Sequence, residues 1–421
     1  MYNPAVKDPR APFTEIIKLN AYWFGLSFMW NGLHQLILPA VLLRFVDYQK
    51  KNTTLGLLTF AGLLIAAIIQ PISGALSDRW SSTLGRRRPL ILLGTLSDFI
   101  FLAILAWAGG LSWIAVGYIG LQITSNVAHG PAQGLLPDRV PPPQRGFASG
   151  IKNLMDMAGL MAAMLVLGRV LDPDAYHLIP SMALVAAFLA CGAAVTLIGI
   201  REQPSSTLAS RNNTQYGVQI SPNARCRNSS YTWLLASRFL FLFGIYAVQG
   251  FIQYYIRDVM QVENPVKLTA NLLAIIIVAL MVFALGGGLL GDRIGHKRVL
   301  YLASVFGAIG SLLLIGARTP TTLLVYGSVL GAGLGLFLTS NWAIANILAP
   351  SEQAGKYLGL SNLATAGAGA VARLAGPVID LLNNLKAGLF FGYTFLFMLG
   401  ALAILTSVIF LRHVEECWVT E

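Results

Sequence analysis

Gly74-Ala75-Leu76-Ser77-Asp78-Arg79 and Gly288-Leu289-Leu290-Gly291-Asp292-Arg293 share the pattern G-x-x-x-D-R, and each closes a long apolar run. A further glycine and a basic cluster follow each one: Gly85-Arg86-Arg87-Arg88 and Gly295-His296-Lys297-Arg298. The two aspartates lie 214 positions apart in a chain of 421 residues. A motif that returns after half the chain implies duplication into parallel halves. Its chemistry is that of a helix end. Small glycines let two helices approach closely, and the aspartate can accept from backbone N–H groups or from an arginine at a neighbouring helix terminus. Such a contact, made in one conformation only, would act as a latch. We expect it to be built from Gly74, Asp78, Arg79, Gly85, Arg86, Arg87 and Arg88, with Gly288, Asp292 and Arg293 in the second half. The alternative is that the arginines only set topology.

Outward from these motifs the chain is apolar almost throughout. It is 56% hydrophobic and 11% charged, with a mean hydropathy of +0.66. Soluble proteins charge about a quarter of their positions. A bilayer core of ~30 Å needs ~20 apolar residues per helix. Runs of that length predict spans at roughly 19–43, 54–76, 89–108, 112–136, 147–170, 178–200, 233–256, 268–290, 298–317, 321–348, 356–381 and 387–411. The expected fold is therefore an all-α membrane protein with twelve transmembrane helices in two pseudo-symmetric six-helix bundles. The bundles cover 1–200 and 232–421, joined by a polar cytoplasmic linker over 201–231 that is rich in Ser, Asn, Arg and Gln. The first apolar run has no small-residue cleavage site and reads as a helix rather than a signal peptide.

The formal net charge is +11. In a soluble protein this would suggest nucleic acid, but a membrane protein collects positive charge on its cytoplasmic loops. With the N-terminus inside, eighteen Lys and Arg fall on cytoplasmic segments and eight on outer ones. Both termini are therefore expected in the cytoplasm, with the protein in the plasma (inner) membrane and no nucleic-acid partner. Asn52-Thr53-Thr54 forms a glycosylation triplet on the outer side, a pattern common by chance. Cys191, Cys226 and Cys417 are too few and too scattered for a disulfide framework or a zinc site. Glycine-rich segments such as Gly331-Ala332-Gly333-Leu334-Gly335 lie inside apolar spans and read as packing sites. There is no Walker sequence, so ATP does not drive this chain directly. We expect no cofactor, no metal and no enzymatic activity.

A polar group in hydrocarbon is costly unless it faces partners or water, so its position carries information. The first span has Asn31, His34 and Gln35 on one face, and the fourth has Gln122, Asn126 and His129. The seventh has Tyr246, Gln249 and Gln253, and the tenth has Asn341, Trp342 and Asn346. Spans 6, 9 and 12 have almost nothing comparable. Amides offer donors and acceptors to hydroxyl groups, and an indole face can stack on a sugar ring. These twelve residues are the expected substrate-binding set for a small polar solute. For any one of them the plainer reading is a hydrogen bond to a neighbouring helix.

Ionisable groups inside the spans are scarce. Lys152 and Asp156 lie one turn apart on the fifth span, and Asp98 interrupts the apolar third span. A buried carboxylate is a candidate proton carrier, so Asp156, with Lys152 beside it, and Asp98 form the expected proton-coupling set. The alternative for the first two is a self-neutralised ion pair. Arg238 and Arg373 either meet an anionic group or pair with carboxylates or helix ends.

These motifs resemble the major facilitator superfamily, and within it the sucrose/proton symporter branch near the glycoside–pentoside–hexuronide:cation symporters. The first loop, Ser77-Asp78-Arg79-Trp80-Ser81-Ser82-Thr83-Leu84-Gly85-Arg86-Arg87-Arg88-Pro89, ends in G-R-R-R-P as in sucrose transporters. The fourth span ends Asn126-Val127-Ala128-His129-Gly130-Pro131-Ala132-Gln133-Gly134-Leu135-Leu136-Pro137-Asp138, similar to N-x-x-Q-G-P-x-x-A-L-L-x-D. The resemblance implies a cavity lined by spans 1, 4, 7 and 10, the spans that carry the polar faces. It implies a monomeric secondary active transporter that moves a di- or oligosaccharide or a glycoside with protons by alternating access. Two positions depart from the branch. Gln122 stands where its symporters carry a titrating aspartate, and His129 replaces the glutamine before G-P. The same fold also serves proton-coupled antiport or export. A non-transporting relative that handles solutes or pigment is a third possibility, and a lipid-like ligand would ask for fewer amides.

Overall fold

The computed structural model describes residues 11–80, 82–83, 85–172, 178–200, 224–349, 354–385 and 388–415. The polar linker expected over 201–231 lies outside the described residues as far as 223, and a helix has already begun at Ala224. The regular elements among the described residues are all helices, and they account for twelve spans. Helix α1 (Phe13–Gly32), a π turn (Leu33–Ile37) and α2 (Leu38–Leu42) make the first span. Spans 2 to 6 are α3 (Lys51–Arg79), α4 (Arg88–Ala106), α5 (Leu111–Arg139), α6 (Arg145–Val170) and α7 (Ile179–Gly199). Spans 7 to 10 are α8 (Ala224–Tyr255), α9 (Pro265–Ile294), α10 (His296–Ile315) and α11 (Pro320–Leu348). The eleventh is broken at Leu374 into α12 (Ala354–Arg373) and α13 (Ala375–Leu385), and α14 (Phe391–Arg412) is the twelfth.

Ten of these spans are long and apolar enough to cross a bilayer by length and composition. The first and fourth are not among them. Both carry the polar faces described above, and the first is also interrupted. The interruption has a local cause. Pro39 has no N–H, so the carbonyl of Gln35 loses its helical donor and the turn widens. The end of the Gln253 side chain on α8 lies 2.8 Å from the carbonyl oxygen of Gln35 and 3.2 Å from that of Leu36, where its amide nitrogen, turned towards them, replaces the lost donor.

The duplication is visible in the packing. Within the first half, span 1 packs on spans 5 and 6, and span 3 on spans 4 and 6. Within the second half, span 7 packs on 11 and 12, and span 9 on 10 and 12. Of the described residues, one compact unit comprises those up to Leu33 and from Ala61 to Ile200; the other comprises His34–Phe60 and those from Ala224 onward. The motif glycines also find their reason. Gly85 and Gly295 have φ of 99° and 94°, so a side chain at either would be strained. Where α3 crosses α5, a Cβ on Gly130 would collide with the Gln70 carbonyl. That closeness lets Ser73 Oγ donate to the Asn126 carbonyl at 3.0 Å.

Candidate solute and proton sites

In the first unit, α1, α5 and α6 bring several of the expected residues together around Trp23. Lys152 Nζ sits 3.9 Å from the centre of the Trp23 ring, and His129 meets the same ring edge-on at 4.9 Å. Lys152 also pairs with Asp156 at 3.2 Å, both side chains being about a quarter exposed. Asn31 donates to the carbonyl and hydroxyl oxygens of Ser27, whose hydroxyl donates to the Asp156 carbonyl at 2.6 Å. Trp23 was absent from the expected set. Its signal was the spacing: Trp23, Ser27 and Asn31 fall at i, i+4 and i+8, on one helical face.

The remaining polar residues of α5 are engaged closer to home. Gln122 donates to Tyr118 Oη at 2.8 Å, and Asn126 donates to the Gln122 carbonyl at 2.8 Å. His129 also meets Gln133 at 3.1 Å. Asp98 on α4 is fully buried. One carboxylate oxygen accepts from Thr124 at 2.5 Å, and the other has no partner among the described residues. The ion pair and the buried carboxyl are thus different environments for a proton: one has a cation beside it, the other only a hydroxyl.

In the second unit a parallel arrangement centres on Arg238 of α8, which is 3% exposed. Its Nε donates to Thr365 Oγ1 of α12 at 2.9 Å and an Nη donates to Asn341 Oδ1 of α11 at 2.6 Å. The guanidinium lies 4.8 Å from the Trp342 ring centre. Asn341 Nδ2 is buried with no partner among the described residues. The other expected residues of this half disperse. Gln249 lines a small apolar pocket with Ile245, Val248 and Ile252. Gln253 is committed to the π turn that holds the half-buried His34 and the buried Gln35. Tyr246 is half-buried and Asn346 exposed. Arg373 donates to the Gly250 carbonyl at 3.1 Å.

The first G-x-x-x-D-R motif closes into a network. Arg87 pairs with Asp78 at 2.5 Å and with Asp138 at the end of α5 at 3.0 Å, and it donates to Ser77 Oγ. Arg86 pairs with Asp138 at 2.6 Å. Arg88 instead donates to the Leu197 carbonyl of α7, and the exposed Arg79 makes no bond to the cluster. In the second motif Asp292 is 75% exposed and among the described residues meets only His296, at 3.5 Å. Arg293 makes no bond among the described residues.

One polar cluster went unread in the sequence. Lys51, at the start of α3, pairs with Asp258 at 2.5 Å, and Tyr393 donates to the same oxygen at 2.6 Å. Both charged side chains are almost fully buried. Beside them Asn52 donates to Asp380 at 2.8 Å, and the backbone N–H of Thr53 donates to it at 2.6 Å. Asn52 is fully buried, which removes the glycosylation triplet as an acceptor. Lys51 read as a loop residue because the helix that buries it begins at that position.

Duplicated six-span packing, a paired repeat motif and polar faces on equivalent spans converge with a family comparison. The model of the Major Facilitator Superfamily matches residues 23–373. The chain belongs to the Major Facilitator Superfamily. It is an integral membrane protein of a transporter family, the coarse form of the resemblance read from the motifs. Among curated relatives it is similar to the multi-drug resistance efflux pump PmrA of Streptococcus pneumoniae, at 24% identity over 93% of this chain and 94% of the pump. It is also similar to the sucrose transport protein SUC4 of Arabidopsis thaliana, at 24% identity, but over only 32% of this chain and 29% of that one. Among solved structures, a D-xylose–proton symporter superposes with a TM-score of 0.74 at 16% identity, covering 96% of this chain and 98% of the symporter. That likeness concerns the fold alone.

Proposed function

We propose that this Major Facilitator Superfamily protein is a proton-coupled secondary transporter of a small organic solute, working as a monomer by alternating access. On this reading it lies in the plasma (inner) membrane with both termini in the cytoplasm. The observation that carries it is a matched pair of clusters: in each half a cation stacks on a tryptophan, beside His129 of span 4 in the first and bonded to Asn341 of span 10 in the second. Polar groups in hydrocarbon at matched places of a repeat support a solute path.

Protons have two candidate carriers in the first half. Asp156 shares its charge with Lys152, so protonation would free the lysine from the pair. Asp98 has a carboxyl oxygen without a partner among the described residues. The amides support a hydroxylated solute, a di- or oligosaccharide or glycoside taken up by symport, and the local likeness to a sucrose transport protein supports the same reading. A second reading, export by proton antiport, is favoured by the likeness to an efflux pump along 93% of the chain.

Flux in proteoliposomes separates the readings. Labelled saccharides and amphipathic dyes are offered with a pH gradient imposed in either sense. Accumulation into vesicles with an acidic exterior is the symport result. Accumulation into vesicles with an acidic interior is the antiport result. Flux indifferent to the gradient and to a protonophore would overturn proton coupling, and no flux of any solute would overturn transport.

A further inference from the structure

The repeat relates the surroundings of Arg238 to those of Lys152. Spans 1, 4 and 5 build the first cluster, and spans 7, 10 and 11 the second. His129 and Trp342 are 213 positions apart, as are Lys152 and Thr365; Trp23 and Arg238 are 215 apart. Each cluster stacks a cation on a tryptophan, with the roles of the spans exchanged. Lys152 of span 5 covers Trp23 of span 1, whereas Arg238 of span 7 covers Trp342 of span 10.

One component is missing from the second cluster. Asp156 neutralises Lys152 from one turn away, but 213 positions later stands Gly369, followed by Ala370. Among the described residues no carboxylate pairs with Arg238; its side-chain bonds go to a hydroxyl and an amide oxygen. A guanidinium offers five N–H donors in a rigid fork. Donors therefore remain, and Asn341 Nδ2, geminal to the oxygen that Arg238 binds, adds another with no partner. The place of the missing acid is not filled from span 11: a Cβ on Gly369 would meet nothing closer than the Tyr246 ring, at 3.6 Å. A buried charge without a counter-charge is strongly disfavoured unless something supplies one. Trp342 and Thr365 are only half-buried, so the cluster borders on accessible surface.

We propose that Arg238 and Asn341 bind the carboxylate of an organic anion, with Trp342 holding the guanidinium in plane, and that this anion is the solute. The ligand's carboxylate stands to Arg238 as Asp156 stands to Lys152. Two guanidinium N–H groups match the two oxygens of a carboxylate, and the exposed part of Trp342 is available to an apolar or ring-shaped remainder. This deepens the transport reading, on which only the step from binding to movement depends.

The test uses the purified full chain in detergent and thermal unfolding with matched probes: benzoate against benzamide, D-glucuronate against methyl D-glucoside, and sodium sulfate. The carboxylates are expected to raise the melting temperature and their neutral partners not. Arg238→Gln should weaken the carboxylates at least about tenfold, as loss of a charge-assisted hydrogen bond implies, while Arg238→Lys keeps part of the effect. Ligand-free Arg238→Gln should melt no lower than the unaltered protein, because it removes an uncompensated charge. Equal shifts from acids and amides, no shift from either carboxylate, or a shift that survives in Arg238→Gln would overturn the proposal. So would sulfate acting as strongly as benzoate. A ligand-free Arg238→Gln protein that melts several degrees lower with its carboxylate shift intact would make Arg238 a packing residue. Carboxylate binding without flux in proteoliposomes would remove the transport reading and leave the site. Flux of methyl D-glucoside without carboxylate binding would do the reverse.

Discussion

Lys152 and Arg238 sit at related places in the two halves, each against an indole, and they meet their charge in different ways. Lys152 has Asp156 at 3.2 Å, and the pair is about a quarter exposed. Arg238 is 3% exposed and bonds only neutral oxygens among the described residues. The G-x-x-x-D-R motifs show the same contrast. Arg87 joins Asp78 and Asp138, whereas Arg293 joins nothing among the described residues. A duplicated scaffold therefore does not duplicate its chemistry. The first half sets an acid beside its indole-stacked cation; among the described residues the second half does not.

The hardest blow to this comparison would be a protein that tolerates buried unpaired cations in general. Asp258→Asn tests that, since it leaves Lys51 almost fully buried without its counter-charge. It should cost about 3–5 kcal/mol of stability in an unfolding titration in mixed micelles. A negligible cost would strip the isolation of Arg238 of meaning. Arg87→Gln removes the hub of the first motif and should cost about 1.5–3 kcal/mol, the range of hydrogen bonds to charged groups. Gly369→Asp sharpens the comparison by giving the second half the acid it lacks. The variant should gain about 1 kcal/mol, part of it from replacing a helical glycine, and should no longer respond to benzoate. Arg293→Gln, at the exposed counterpart of the first latch, should change stability by no more than about 0.5 kcal/mol.

Much of the fold was legible because spans are read one helix at a time. Apolar runs located all twelve spans, and the repeat of Asp78 and Asp292 exposed the duplication. The break in span 1 was not legible. Pro39 announces a lost hydrogen bond, but the donor that replaces it is Gln253, more than two hundred residues away. The site followed the same rule. Residues that share a helical face, such as Asn31 with its neighbours, could be grouped by spacing. Which faces meet could not, so Trp23 went unnamed and Lys51 fell on an outer loop. The repeat itself implied two matching networks, while among the described residues only the first motif forms one. In sequence, Glu352 follows Asp138 by the same 214 positions that separate the motif aspartates, but it lies outside the described residues.

The account divides labour between the halves: a proton carrier beside Lys152, a solute site beside Arg238. Asp156→Asn in proteoliposomes tests that division most directly, with solute counterflow and pH-driven accumulation measured on the same preparation. We expect counterflow to persist and accumulation against the gradient to disappear. Accumulation at the wild-type level, or parallel loss of both activities in a folded protein, would contradict it.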